Sequence, residues 1–271
     1  MERIRRGFRL LGASWEVLKA DRELLVLPLI SFAIILVVTA SLAGAAWAGG
    51  LGRERESLEV FDYLLLGVFY FVAYFVAIFF NAAVVGAATI RLAGGDPTVR
   101  DGLRLAASKV GKIAGWAAIA ATVGLILRSL EERAGFVGRL VIGIIGVAWS
   151  AITFFVVPVL LYEPVGVVDG IKRSGSIFKQ RWGETFVGNG AIGLAMFLIA
   201  VPFVALGYLI ALANVPAGVI VIVLAVAVVS AVGAAMTGIF NAALYRYAMT
   251  GEPAGGFSEA DLQGSFRPKR R

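Results

Sequence analysis

The chain has 271 residues, of which 59% are hydrophobic and 16% charged, with a mean hydropathy of +0.87 and a formal charge of +7. A soluble domain is about half apolar and about a quarter charged, so composition alone makes this an integral membrane protein. Cysteine and histidine are both absent, which excludes disulfides, thiolate metal sites and a cysteine nucleophile, and removes the commonest metal ligand and general base.

The opening segment places Ile4, Phe8, Leu11, Trp15 and Leu18 at helical spacings, with Arg5, Arg6, Arg9 and Lys19 on the flanks. That pattern predicts an amphipathic helix lying on a membrane surface, here and in the two similar stretches below, with a cytoplasmic extension packed on the bundle as the alternative. "RRGF" (Arg5 to Phe8) and "AWA" (Ala46 to Ala48) resemble parts of a cleavable export signal. Glu16, Asp21 and Glu23 interrupt the approach to the apolar run, however, so a retained first span is expected. A span needs about 20 mostly apolar residues, and Leu24–Gly49 and Tyr63–Ile90 qualify without a single charge.

Asp96–Pro97 comes next, ahead of a second amphipathic stretch. Its stripe is Val99, Leu103, Ala106 and Val110, with Arg104 and Lys109 directed to lipid phosphates. Ile113–Leu127 is uncharged but short; Lys112 and Arg128 at its ends can snorkel to opposite interfaces, giving a thin span, with a re-entrant segment as the alternative. Leu140–Leu161 is a fourth span. Glu163–Pro164 then opens a third amphipathic stretch, with Val167, Ile171, Ser174 and Phe178 on one stripe and Lys172, Arg173, Lys179 and Arg181 as phosphate contacts. Phe186–Leu212 and Ala217–Leu244 complete six spans, and Glu252–Pro253 precedes a basic tail ending in "FRPKRR".

The three acid–proline pairs follow the even-numbered spans. Acids suit the positive end of a helix dipole and proline suits the first helical position, so each pair is read as ending a span, turning and starting a new helix at the inner surface. "DGLRLAASKV" aligns with "DGIKRSGSIF", and "FNAAVVGAATIRLAGGDP" resembles "FNAALYRYAMTGEP". The fold class expected is therefore an all-α, six-span bundle. One transmembrane domain, 1–251, holds three hairpin units (1–95, 96–162, 163–251), each preceded by an interfacial helix, and 252–271 is a cytoplasmic tail. Six spans put both termini on one side. Twenty of the 25 lysines and arginines share that side; only Arg53, Arg55, Arg128, Arg133 and Arg139 do not. Basic loops stay inside, so a multi-pass plasma-membrane protein with cytoplasmic termini is expected. The positive charge then points to anionic head groups rather than nucleic acid.

Little in the chain suggests chemistry. The five long spans carry no ionisable side chain but tyrosine, which argues against a proton-coupled pump and an intramembrane metalloprotease. No P-loop or Gly-x-Ser-x-Gly is present, and "GNGAIG" (Gly188 to Gly193) opens a membrane helix, where it serves close packing. Asn81 and Asn241 are the best polar candidates: a pair of amides on a shared cavity, or interhelical hydrogen bonds. Pro28, Pro158 and Pro202 free backbone carbonyls and can kink their spans. No cofactor or metal is expected.

"SWEVLKADRELLVLPLIS" (Ser14 to Ser31), the Phe-Asn-Ala-Ala block running to Gly-Asp-Pro, and "FNAALYRYA" resemble an uncharacterised family of prokaryotic six-span membrane proteins. Glu163–Gly183 is also similar to the membrane domain attached to some glycerophosphodiester phosphodiesterases, although no catalytic domain accompanies it here. The resemblance implies a fold and no activity. Three functions are compatible with the residues. The first is a non-enzymatic membrane-organising or lipid- or partner-binding protein, with self-association possible. The alternatives are an uncoupled transporter or channel, and a lipid-head-group enzyme whose inner-loop candidates are Glu163 and Asp169.

Overall fold

The computed structural model describes residues 2–48, 60–180, 185–253 and 255–257. Among these, all regular structure is helical, and six stretches are long and apolar enough to cross a membrane. In chain order the helices are α1 (Glu2–Ala20), α2 (Glu23–Ala48), α3 (Val60–Leu92), α4 (Val99–Ser108), α5 (Val110–Arg133), α6 (Phe136–Ile152), α7 (Val156–Tyr162), α8 (Val167–Gln180), α9 (Thr185–Ala213) and α10 (Val215–Thr250). A short helix precedes each pair of spans: α1, α4 and α8.

The third span is not short. α5 runs for 24 residues, about 36 Å at 1.5 Å per residue, enough for a hydrocarbon core of about 30 Å. The helix passes through Lys112 and Arg128 rather than ending at them. Arg128 donates to Glu132 Oε1 (3.0 Å) and to the Tyr70 hydroxyl (2.6 Å) at the far end of α3.

The acid–proline pairs follow the ends of spans, as expected, but no helix starts at any of them. The N-cap of α4 is Thr98, whose Oγ1 accepts from Asp101 N, while the Asp101 carboxylate accepts from Thr98 N, a complete capping box. Asp96 lies outside it with a side chain 98% exposed, 3.6 Å from Arg91. Glu163 is the C-cap of α7, and α8 begins at Val167. Glu252–Pro253 follows a left-handed Gly251 (φ +74°), and the residues described beyond it form no helix. Proline disfavours the α region for the residue before it, which suits Glu163 as the C-cap of α7; α3 and α10 have already ended at Leu92 and Thr250, ahead of their pairs.

The aligned glycines of the short helices have the same job. A Cβ on Gly102 would lie 2.6 Å from the Ala83 carbonyl oxygen of α3, and one on Gly170 2.8 Å from Leu160 of α7. α4 and α8 therefore fold back against the span before them, and their small-residue faces are buried: Ala106 and Ser174 are both 0% exposed. The stripe expected to meet lipid turns partly to the bundle instead. In α1 the buried residues are Leu10, Ser14, Val17 and Leu18, whereas Phe8 and Trp15 of the expected stripe remain exposed. Small residues let backbones approach closely, and that dispersion contact favours helix over lipid as neighbour.

The core lies at one end of the bundle. It gathers Leu24 and Leu27 of α2, Ala82–Ala88 of α3, Phe155 and Val159, and Ile239–Leu244 of α10. The outer halves of the spans expose Leu, Ile, Val and Phe, as lipid-facing helices must.

Candidate functional site on the basic end of the bundle

Hydrogen bonds tie the helix ends at the basic end of the bundle into one surface. The Glu23 carboxylate at the start of α2 accepts from Val99 N at the start of α4 (2.8 Å). Arg246 near the end of α10 donates to Leu92 O at the end of α3 (2.9 Å). Lys112 of α5 donates to Glu163 O at the end of α7 (3.3 Å), where a cation meets the negative end of the helix.

Glu163 is the node of this surface. Its carboxylate accepts from Arg173 Nε (3.1 Å) on α8 and from the Tyr245 hydroxyl (3.0 Å) on α10, and the Tyr245 ring stacks on Tyr162 at 6.2 Å. The Glu163 side chain is only 18% exposed. Two donors and partial burial make this a clasp between three elements. Asp169, the other inner-loop acid, is exposed and 3.2 Å from Lys172.

A second polar knot closes a break in the fourth span. α6 stops at Ile152 and α7 restarts at Val156. Ser174 Oγ bridges the gap, donating to Ile152 O (2.6 Å) and accepting from Phe155 N (3.0 Å). Pro158 has no N–H for the carbonyl four residues back, that of Phe154, and Asn241 Nδ2 of α10 donates to it instead at 3.1 Å. Asn241 thus makes an interhelical bond; its Oδ1 is buried and accepts none among the described residues.

Asn81 sits elsewhere. It lines a groove of about 290 Å³ between α2, α3 and α10, together with Pro28, Ser31, Phe80 and Ser230, and Asn241 is not among the lining residues.

A separate groove of about 320 Å³ opens between α1, α2 and α10, lined by Trp15, Leu18, Leu25 and Val232, with Lys19 and Arg22 at its polar edge. Lys19 is 2.8 Å from Glu16. Asp21, between the two cations, is buried and accepts from Glu23 N (3.2 Å). Burial holds its carboxyl above the ordinary 3.8, against the pull of Arg91. Asp101 goes the other way: its bonds from Thr98 hold it below 3.8.

The remaining basic residues spread around this end. Arg9, Lys172 and Lys179 are exposed, Arg104 is exposed and 3.4 Å from Asp101, Lys109 is half-buried at the α4–α5 junction, and Arg173 is taken up by Glu163. Arg5 and Arg6 fall within α1. Arg181 and the tail beyond 257 lie outside the described residues. Sequence reading missed Tyr245 and Ser174 as partners; nothing local marks a residue whose contacts lie 82 and 22 positions away.

Residues 60–256 match the model of a family described as "Family of unknown function (DUF6159)", and the chain belongs to that family. No curated protein and no solved structure matches.

Proposed function

We propose that this family member is a non-enzymatic, lipid-binding organiser of the inner leaflet of the plasma membrane, with both termini cytoplasmic. The observation that carries this reading is the α1–α2–α10 groove. Its apolar floor suits an acyl chain, and Lys19 and Arg22 at the edge suit the phosphate of the same molecule. Arg9, Arg104, Lys172 and Lys179, exposed on the short helices, extend the positive rim for further anionic head groups. The positive-inside bias of the loops supports the orientation.

Native mass spectrometry of the purified chain tests it. Anionic phospholipid should co-purify. Each basic residue near an anionic surface contributes about 1 kcal/mol, and Lys19 is shared with Glu16, so the double variant Lys19→Ala, Arg22→Ala should bind roughly tenfold more weakly. Equal retention of anionic and zwitterionic lipid by the native chain would overturn the reading. An uncoupled transporter is the second reading, favoured by the polar lining around Asn81; solute flux through proteoliposomes would support it.

A further inference from the structure

Hydroxyls in these spans mostly bond the carbonyl four residues back: Thr39 to Ile35, Thr89 to Val85, Thr122 to Ala118 and Ser150 to Gly146. Ser31 and Ser230 do not. Neither they nor Asn81 makes a hydrogen bond among the described residues, yet all three line one groove, from three different helices. Asn81 lies eleven residues before the end of α3, about 16 Å along the helix at 1.5 Å per residue, so the groove is at membrane depth. An unpaired amide or hydroxyl in hydrocarbon costs about 2–7 kcal/mol by transfer measures, whereas a bonded one does not.

We propose that the α2–α3–α10 groove binds a neutral lipid carrying a free hydroxyl, which enters sideways from the bilayer. A hydroxyl is both donor and acceptor, so one head can satisfy the Asn81 amide and a serine together. Among the described residues no charged one lines the groove, and a phosphate or ammonium would be left uncompensated there. The volume of about 290 Å³ is at the small end of ligand sites, which run about 300–1,000 Å³. It fits the head and first methylenes of a single chain, while the rest stays among the lipids. This site is independent of the basic rim and of the anionic-lipid reading.

The test uses the full chain in nanodiscs of zwitterionic lipid only, so loss of anionic binding cannot affect it. The probe is a hexadecanol carrying a mid-chain diazirine and a terminal alkyne; the control reagent lacks the hydroxyl. Photolabelling mapped by mass spectrometry should place the alcohol on α2, α3 and α10 peptides at least fivefold above the alkane. Unlabelled hexadecanol should compete. Asn81→Leu, and separately the double variant Ser31→Ala, Ser230→Ala, should each cut labelling at least fivefold while the protein stays monodisperse. Equal labelling by alcohol and alkane, or labelling unmoved by both variants, overturns the proposal.

Discussion

Replacing Ser174 by alanine tests how the broken fourth span is held. The hydroxyl serves two backbone groups at once, Ile152 O at 2.6 Å and Phe155 N at 3.0 Å, and Ser174 is fully buried. In water-soluble proteins each orphaned backbone group would cost about 1–3 kcal/mol. In a membrane the unfolded reference state keeps its helices and can heal the break, and measured side-chain bonds average about 0.6 kcal/mol with a maximum of about 1.7. Two bonds then give roughly 1–3 kcal/mol, and we expect about 2. The control is Ser150→Ala, whose hydroxyl is exposed and bonds only to Gly146 O in its own helix; it should cost under about 0.5 kcal/mol. Reversible unfolding in mixed micelles with increasing dodecyl sulfate measures both. A difference below about 0.5 kcal/mol between the two variants would refute the claim that Ser174 holds the break.

Other expectations follow from contacts and charge. Gly102→Ala would drive a methyl to 2.6 Å from the Ala83 carbonyl and should cost about 1–3 kcal/mol in the same assay; Gly12→Ala in α1 meets nothing within 4 Å and should be neutral or add up to about 1 kcal/mol of helix propensity. The depressed Asp101 carboxyl adds stability that is complete above the unfolded value of 3.8 and lost as pH falls through its lower folded value. Asp101→Asn should therefore flatten the acid limb of the stability curve. Asp21 has the opposite sign: its folded value is raised above 3.8 by burial, so ionisation removes stability as pH rises through that range. Relative to the native chain, Asp21→Asn should gain stability as pH rises above the unfolded value of 3.8, read as a shift in unfolding midpoint. Tyr245→Phe, which deprives Glu163 of one of its donors, should cost about 0.5–1.7 kcal/mol, the upper part of the range measured for side-chain bonds in membrane proteins.

The spans were legible because each is a long run without a charge, and hydrocarbon tolerates nothing else at that length. Pro158 was legible as the source of a freed carbonyl, since its missing N–H is a property of the residue. The place of the break follows from the same residue, because the carbonyl four residues before Pro158 is that of Phe154, in the middle of the gap. The partners that fill it, Ser174 of α8 and Asn241 of α10, were not legible. The length of α5 was underread for another reason. Lys112 and Arg128 look like stops, but their long stems reach Glu163 O and the Tyr70 hydroxyl while the backbone stays helical. Acid–proline pairs mark the turn after a span, as read, but not the first residues of the next helix, because Thr98 with Asp101 supplies the actual cap of α4 one step later. For the binding surface, the basic side chains were visible in the sequence. Which of them stand free and which are spent internally, as Arg173 is on Glu163, depends on a tertiary contact.

The central claim is six crossings with the basic ends of the bundle facing the cytoplasm. The chain has no cysteine, so single-cysteine variants report without background. Lys172→Cys and Arg133→Cys should be labelled by a membrane-impermeant maleimide from opposite sides. Arg133→Cys should react in intact spheroplasts, and Lys172→Cys only after permeabilisation. Reaction of both in intact spheroplasts, or of neither before permeabilisation, would contradict the topology.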